Sequence, residues 1–168
     1  MDKLIRWAYL NAIVEKDWDS LSDKEKAVVS AETVSRVWAV KTLRDINPSL
    51  DIIQMDFGSE YDCKIWSGGT WYKVEHKFRD YPSAKFDTAL LSPKKFQYCV
   101  DNGVWLLCTY NDGSYFLWDN LAECNVKRKP TEHNKTNVSP KDGKITENCV
   151  YIKYNEAKYR GKLTLSKN

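Results

Sequence analysis

In the first third of the chain, apolar residues recur every three to four positions, and beyond it they tend to recur at every second position. Leu4, Trp7, Ala8, Leu10, Ala12 and Ile13 predict a short amphipathic helix over Asp2 to Glu15. A turn follows at Asp17 to Leu21. Ser22-Asp23-Lys24-Glu25 then has the form of a capping box, and Val28, Ala31, Val34, Val37, Trp38 and Leu43 continue the helical spacing behind it. This predicts one long helix, or two broken near Ser30, ending at Asn47-Pro48 because the residue before a proline is pushed out of helical geometry.

From Leu50 the period shortens, predicting strands over Asp51 to Met55, Tyr61 to Trp66 and Thr70 to Phe78. Ser92-Pro93 supplies an N-cap and a first-turn proline for a second helix that Gly103 stops. Val104 to Tyr110 and Ser114 to Trp118 form a further hairpin around Asn111-Asp112-Gly113. The stretch from Lys127 to Lys144 is polar and basic and predicts a surface loop, and Cys149 to Tyr154 predicts a last strand. The 168 residues suit a single domain, with its core at about residues 30–118.

Composition changes this picture in three ways. No apolar run approaches the roughly 18 residues of a membrane span, and the charged N-terminus lacks the form of a secretory signal, which implies an intracellular, cytoplasmic protein. Five cysteines, odd in number and set far apart among apolar neighbours, suit reduced core thiols rather than disulfides. They disfavour zinc for want of any Cys-x-x-Cys pair, leaving only a split set of Cys124, His133 and Cys149. Finally, the net charge of +3 is uneven: from Leu121 onward 11 Lys and Arg face 5 Asp and Glu, so the excess of cations sits in the tail. Such a tail suits a phosphate backbone or a solvated surface equally.

The chemistry comes from the hairpin centred on Gly68-Gly69. If these two are the loop of a primed turn, Asp62 falls opposite Glu75. Alternation then puts Lys64, Trp66, Trp71, Lys73 and Lys77 on the carboxylate face, and Tyr61, Cys63, Ile65, Tyr72, Val74 and His76 on the other. Two facing carboxylates repel unless a cation lies between them, and magnesium takes such oxygens while keeping several waters. Lys77 adds a positive charge where a phosphodiester would accumulate negative charge during cleavage. A cross-strand ion cluster on a solvated sheet face would use the same residues without any chemistry.

Asp62 followed by Glu75-His76-Lys77, placed on a hairpin between two helices, resembles the signature of the PD-(D/E)XK nuclease superfamily. No proline precedes Asp62, where the family's motif has one. The resemblance implies an α/β fold with a restriction-endonuclease-like core (α-β-β-β-α-β), here carrying an extra N-terminal helix and a C-terminal basic loop and strand. It implies a DNA endonuclease using Mg2+, with Mn2+ as a substitute, in which Asp62 and Glu75 hold the metal and Lys77 is the catalytic lysine. Glu32, or its rival Glu25, would be the glutamate of the first core helix, and Lys95 and Gln97 would lie near the scissile phosphate. His133 in the basic loop is a further phosphate donor by its chemistry. DNA is the implied partner, and a homodimer would let one small domain cut two strands. The alternative is a catalytically inactive module binding nucleic acid or protein on the same fold.

Overall fold

The computed structural model describes residues 18–56, 59–134 and 144–163, and the helix expected over Asp2 to Glu15 lies outside them. Ser22 caps helix α1 (Asp23–Ile46) by accepting from the Glu25 amide at 3.2 Å, while Glu25 accepts from the Ser22 amide at 2.9 Å. These reciprocal bonds satisfy two of the donors that a helix start leaves free. The helix runs unbroken past Ser30 and ends at Asn47. Ala39 and Leu43 on its inner face are buried with Cys63, Ile65, Val74, Leu107 and Leu117. Leu43 has no exposure, so Leu43→Ala is expected to cost about 2–5 kcal/mol of unfolding free energy, measurable by urea denaturation.

After α1 the chain lays down strands β1 (Asp51–Gln54), β2 (Cys63–Ser67) and β3 (Thr70–Arg79) as an antiparallel meander. Gly68 and Gly69 both have positive φ (59° and 83°), the backbone that a primed two-residue turn requires. The turn fixes the register expected from the sequence: Trp66 pairs with Trp71, Lys64 with Lys73 and Cys63 with Val74. A short strand β4 (Thr88–Leu91) and helix α2 (Pro93–Asn102) follow, the helix capped by Ser92 and closed by Gly103 in the left-handed region. Strand β5 (Trp105–Tyr110) then pairs with β3 in parallel, and β6 (Ser114–Trp118) returns beside it.

The tail departs from expectation. Residues read as the start of a basic loop form β7 (Val126–Asn134), which pairs along its length with β8 (Lys144–Lys153). Unlike the other strands, β7 holds no large apolar residue beyond Val126, and Pro130 sits within it, so its sequence lacks the alternating signature of a half-buried strand. A last strand, β9 (Tyr159–Lys162), closes the edge of the main sheet.

Two sheets result among the described residues, one in the order β1-β2-β3-β5-β6-β9 and one in the order β4-β8-β7. α1 covers one face of the large sheet. The other face packs on α2 and the small sheet through Ala89, Leu91, Phe96, Cys99, Leu106, Cys108, Trp118, Val150 and Ile152. β3 is therefore central, flanked by β2 and β5, and its alternate residues reach both cores. No helix among the described residues is long and apolar enough to cross a membrane.

Candidate active site

The pleat of β3 sends Glu75 and Lys77 toward α2 and His76 toward α1. Glu75 is buried at 3% exposure, a costly place for a carboxylate unless cations hold it. They do: Lys77 Nζ lies 2.8 Å from Oε1 and Lys95 Nζ 3.2 Å from Oε2. Burial pushes the Glu75 carboxyl up, but the two lysines outweigh it and hold the group below the usual carboxylate range. Lys77 stays firmly protonated; burial opposes its charge, and the Glu75 and Asp62 carboxylates more than offset that. Lys95 belongs to the first turn of α2 and also donates to the Glu60 carbonyl at 3.0 Å, which ties α2 to the loop ahead of Asp62.

Asp62 meets this group by a route that strand alternation alone does not give. The β2–β3 ladder stops at Cys63, and the Asp62 amide donates to the Val74 carbonyl at 3.0 Å, one residue short of the extrapolated pairing with Glu75. Its carboxylate Oδ2 accepts from the backbone amide of His76 at 2.7 Å. Asp62 is thus fixed on the edge of β3 between the two faces, where the charges of Glu75, Lys77 and Glu32 all reach it. Burial and then Glu75 push its carboxyl up to about 6, against the pull of Lys77 and the His76 amide. Glu32, on α1, lines a small pocket with Ser35, Arg36, Gln54, Asp62 and His76.

His76 supports the site from beneath. Its ring shares hydrogen bonds with Ser35 Oγ on α1 at 2.9 Å and Thr109 Oγ1 on β5 at 2.8 Å. Burial, reinforced by Lys77, pushes the imidazole down to about 3, so it is neutral at ordinary pH. A lowered folded value means that its contribution is lost as pH falls through 6.5 toward 3, because the unfolded chain binds the proton first. A His76→Gln variant keeps polar groups for both hydroxyls without the titration. Its deficit against the parent is expected to shrink on acidification by up to about 1.4 kcal/mol per pH unit, as read by urea denaturation across that range.

The remaining candidates separate clearly. Glu25 is engaged in the helix cap, and Gln97 donates to Asp101 along the exposed side of α2 at 2.7 Å. His133 lies on β7, bonded to Glu147 of β8 at 2.9 Å, in the small sheet rather than in a loop. With Cys149 these two form the only set of three His, Cys, Asp or Glu side chains, among the described residues, whose ligand atoms lie within 4.8 Å of one another. Cys124 stands apart from it, donating to the Asn120 carbonyl. Ser35, Arg36 and Thr109 escaped the sequence reading because hydroxyls and arginines on a helix face or in an apolar strand carry no local signal. Arg36, which donates to the Met55 carbonyl at 2.7 Å, fastens α1 to the segment leading toward Asp62.

Asp62 and Glu75 offer carboxylate oxygens, and each Glu75 oxygen keeps a lone pair beyond its lysine contact, but Asp62, Glu75 and Glu32 do not bring their oxygens within 4.8 Å of one another as a set of three. Burial is the main cause of the raised Asp62 value, with the Glu75 charge second. No family model matches the chain, and no match was found among curated proteins or solved structures.

Proposed function

We propose that the protein is a metal-dependent nuclease of the PD-(D/E)XK type that hydrolyses DNA phosphodiester bonds with Mg2+ or Mn2+. The observation that carries this reading is the convergence of Asp62, Glu75 and Lys77 on one end of β3, with Asp62 anchored to the His76 amide and Lys77 paired to Glu75. The order α1, β1-β2-β3, α2, β5, with β3 parallel to β5 and the short strand β4 of the small sheet inserted before α2, supports the restriction-endonuclease-like core that the resemblance implies.

In this reading Asp62 and Glu75 hold the metal, with Glu32 available to it or to one of its waters. A divalent ion bound there would lower the pKa of a coordinated water and polarise the phosphoryl group. Lys77 presents its ammonium to the non-bridging oxygens, where negative charge grows as the water oxygen bonds to phosphorus and the sugar oxygen leaves. Lys95, 3.2 Å from Glu75, orients that carboxylate and offers a second cation to the phosphate. His76 fixes Asp62 through its backbone and takes no proton, since its ring stays neutral.

One observation favours the alternative of a catalytically inactive binding module: both Glu75 oxygens already face lysines, so the site is balanced without a metal. Incubation with plasmid, linear and branched DNA in Mg2+ or Mn2+ separates the two readings. Cleavage that disappears in Glu75→Gln supports the nuclease. Binding without cleavage of any substrate supports the module. Cleavage that survives in Glu75→Gln rejects the site.

A further inference from the structure

The face of the β2–β3 hairpin that carries Glu75 and Lys77 continues past the cover of α2 toward the Gly68-Gly69 turn, and there it is open. Ile53, Trp66 and Trp71 are 44%, 39% and 42% exposed, although the opposite face of the same strands is filled by the buried Cys63, Ile65 and Val74. The two indoles pair across the ladder with ring centroids 5.2 Å apart, and Ile53 lies across from Lys64 in the next strand. Lys64 and Lys73 are direct cross-strand partners. Like charges in that position repel. Their ammonium groups turn apart, Lys64 to 4.9 Å over Trp71 and Lys73 to 5.4 Å over Tyr61, and Asp51 lies opposite Trp66 on that face.

This patch is apolar and edged with cations. The core does not need it, since the hairpin already buries its other face, and an exposed aromatic pair of this kind marks an interaction surface. Its chemistry calls for an occupant with aromatic faces and negative charge, so that the repulsion between Lys64 and Lys73 is relieved when it binds. A nucleic-acid strand with unpaired bases has both features, because bases stack on aromatic side chains while phosphates track lysines. Paired bases within a duplex expose no faces to an indole.

We propose that Trp66, Trp71, Lys64 and Lys73 form a stacking platform for an unpaired nucleic-acid strand, leading it along β3 toward Glu75 and Lys77. The link to cleavage rests on the nuclease reading, whereas binding does not. Glu75 lies four positions beyond Trp71, roughly 13 Å along the strand. That is the length of about four nucleotides at the helical rise, and of fewer when the strand is extended. The substrate class is then DNA with a single-stranded segment, such as a splayed end, a flap or a branch, cut a few nucleotides from the stacked base.

The test is fluorescence anisotropy of an end-labelled single-stranded oligonucleotide and of its duplex, with the full chain in a chelator so that nothing is cut. Trp66→Ala/Trp71→Ala is expected to weaken single-strand binding at least about tenfold and leave duplex binding within about twofold. Lys64→Gln/Lys73→Gln, surface changes that leave the core untouched, should reduce the slope of log affinity against log salt by about 1.4 on the single strand. This second variant decides the matter if the tryptophan variant does not fold. Equal single-strand affinity in parent and variants overturns the platform. So do equal losses on both ligands, or absence of nucleic-acid binding at low salt while a protein partner binds the patch. The nuclease reading fails separately: strand binding through the tryptophans without cleavage removes it and keeps the platform, and cleavage with unchanged binding does the reverse.

Discussion

Lys77→Ala is expected to lower metal-dependent cleavage by about 100- to 1000-fold, the loss typical of removing one charge-stabilising donor from a preorganised site. The same substitution removes one of the two cations on a carboxylate that is only 3% exposed, so it also lowers stability. Lys95→Ala separates the two effects, because it removes the other cation from the same carboxylate. Thermal unfolding should report similar losses for the two variants, while cleavage under conditions where both remain folded should fall only about tenfold for Lys95→Ala. Equal losses of cleavage would mean that the lysines matter only as counter-ions of Glu75. Rates are best compared at saturating metal, so that a weakened ligand set is not mistaken for a lost cation.

The register of the β2–β3 hairpin was legible in the sequence because a tight turn carries its own geometry. Gly68-Gly69 can adopt the positive φ that a primed turn needs, and once the turn is placed, the pairing of Trp66 with Trp71 and Cys63 with Val74 follows by counting. Ser92-Pro93 and Gly103 marked the ends of α2 for the same local reason. Counting failed one residue later. Asp62 leaves the ladder to bond with the Val74 carbonyl and the His76 amide, a choice set by tertiary packing around β3 and not by alternation. The parallel pairing of β3 with β5 joins segments separated by β4 and α2, and nothing in either segment alone announces it.

The strand β7 was hidden for a different reason. A strand reveals itself by burying alternate apolar side chains, and Lys127, Arg128, Lys129 and Pro130 are all exposed at an edge. Their pairing to β8 depends on backbone groups that every sequence possesses. That correction matters for function, because His133 becomes a partner of Glu147 on a formed sheet rather than a free donor in a loop. Lys95 moved the other way. By sequence it is a helix polar that the resemblance puts near the scissile phosphate, and the packing of α2 brings it to Glu75.

Asp62→Asn is expected to move stability and activity in opposite directions. In the presence of a chelator, burial and the neighbouring Glu75 raise the Asp62 carboxyl from 3.8 to about 6. A raised carboxyl value means that the folded state holds its proton more tightly than the unfolded chain, so the ionised form is a penalty on folding. The penalty is absent below 3.8, grows as pH rises toward about 6, and is complete above it. The asparagine oxygen can still accept from the His76 amide, so the main change is loss of the charge. At neutral pH the variant should therefore be more stable than the parent by up to about 3 kcal/mol, an advantage that fades on acidification through that window. Saturating Mg2+ should raise the unfolding temperature of the parent and leave the variant little changed, because in the proposed reading the ion would bind the folded state through the carboxylate that the variant lacks. Cleavage should be lost in the variant at every pH. Urea denaturation with chelator and with Mg2+, at neutral pH and at mildly acidic pH, tests each sign. A variant that is less stable than the parent at neutral pH without metal would show that Asp62 is a structural acceptor whose hydrogen bond outweighs its charge. That outcome would remove the strain on which the metal assignment depends. The expected outcome would tie the two properties together, since the carboxyl whose charge weakens the bare fold would be the one that takes the ion.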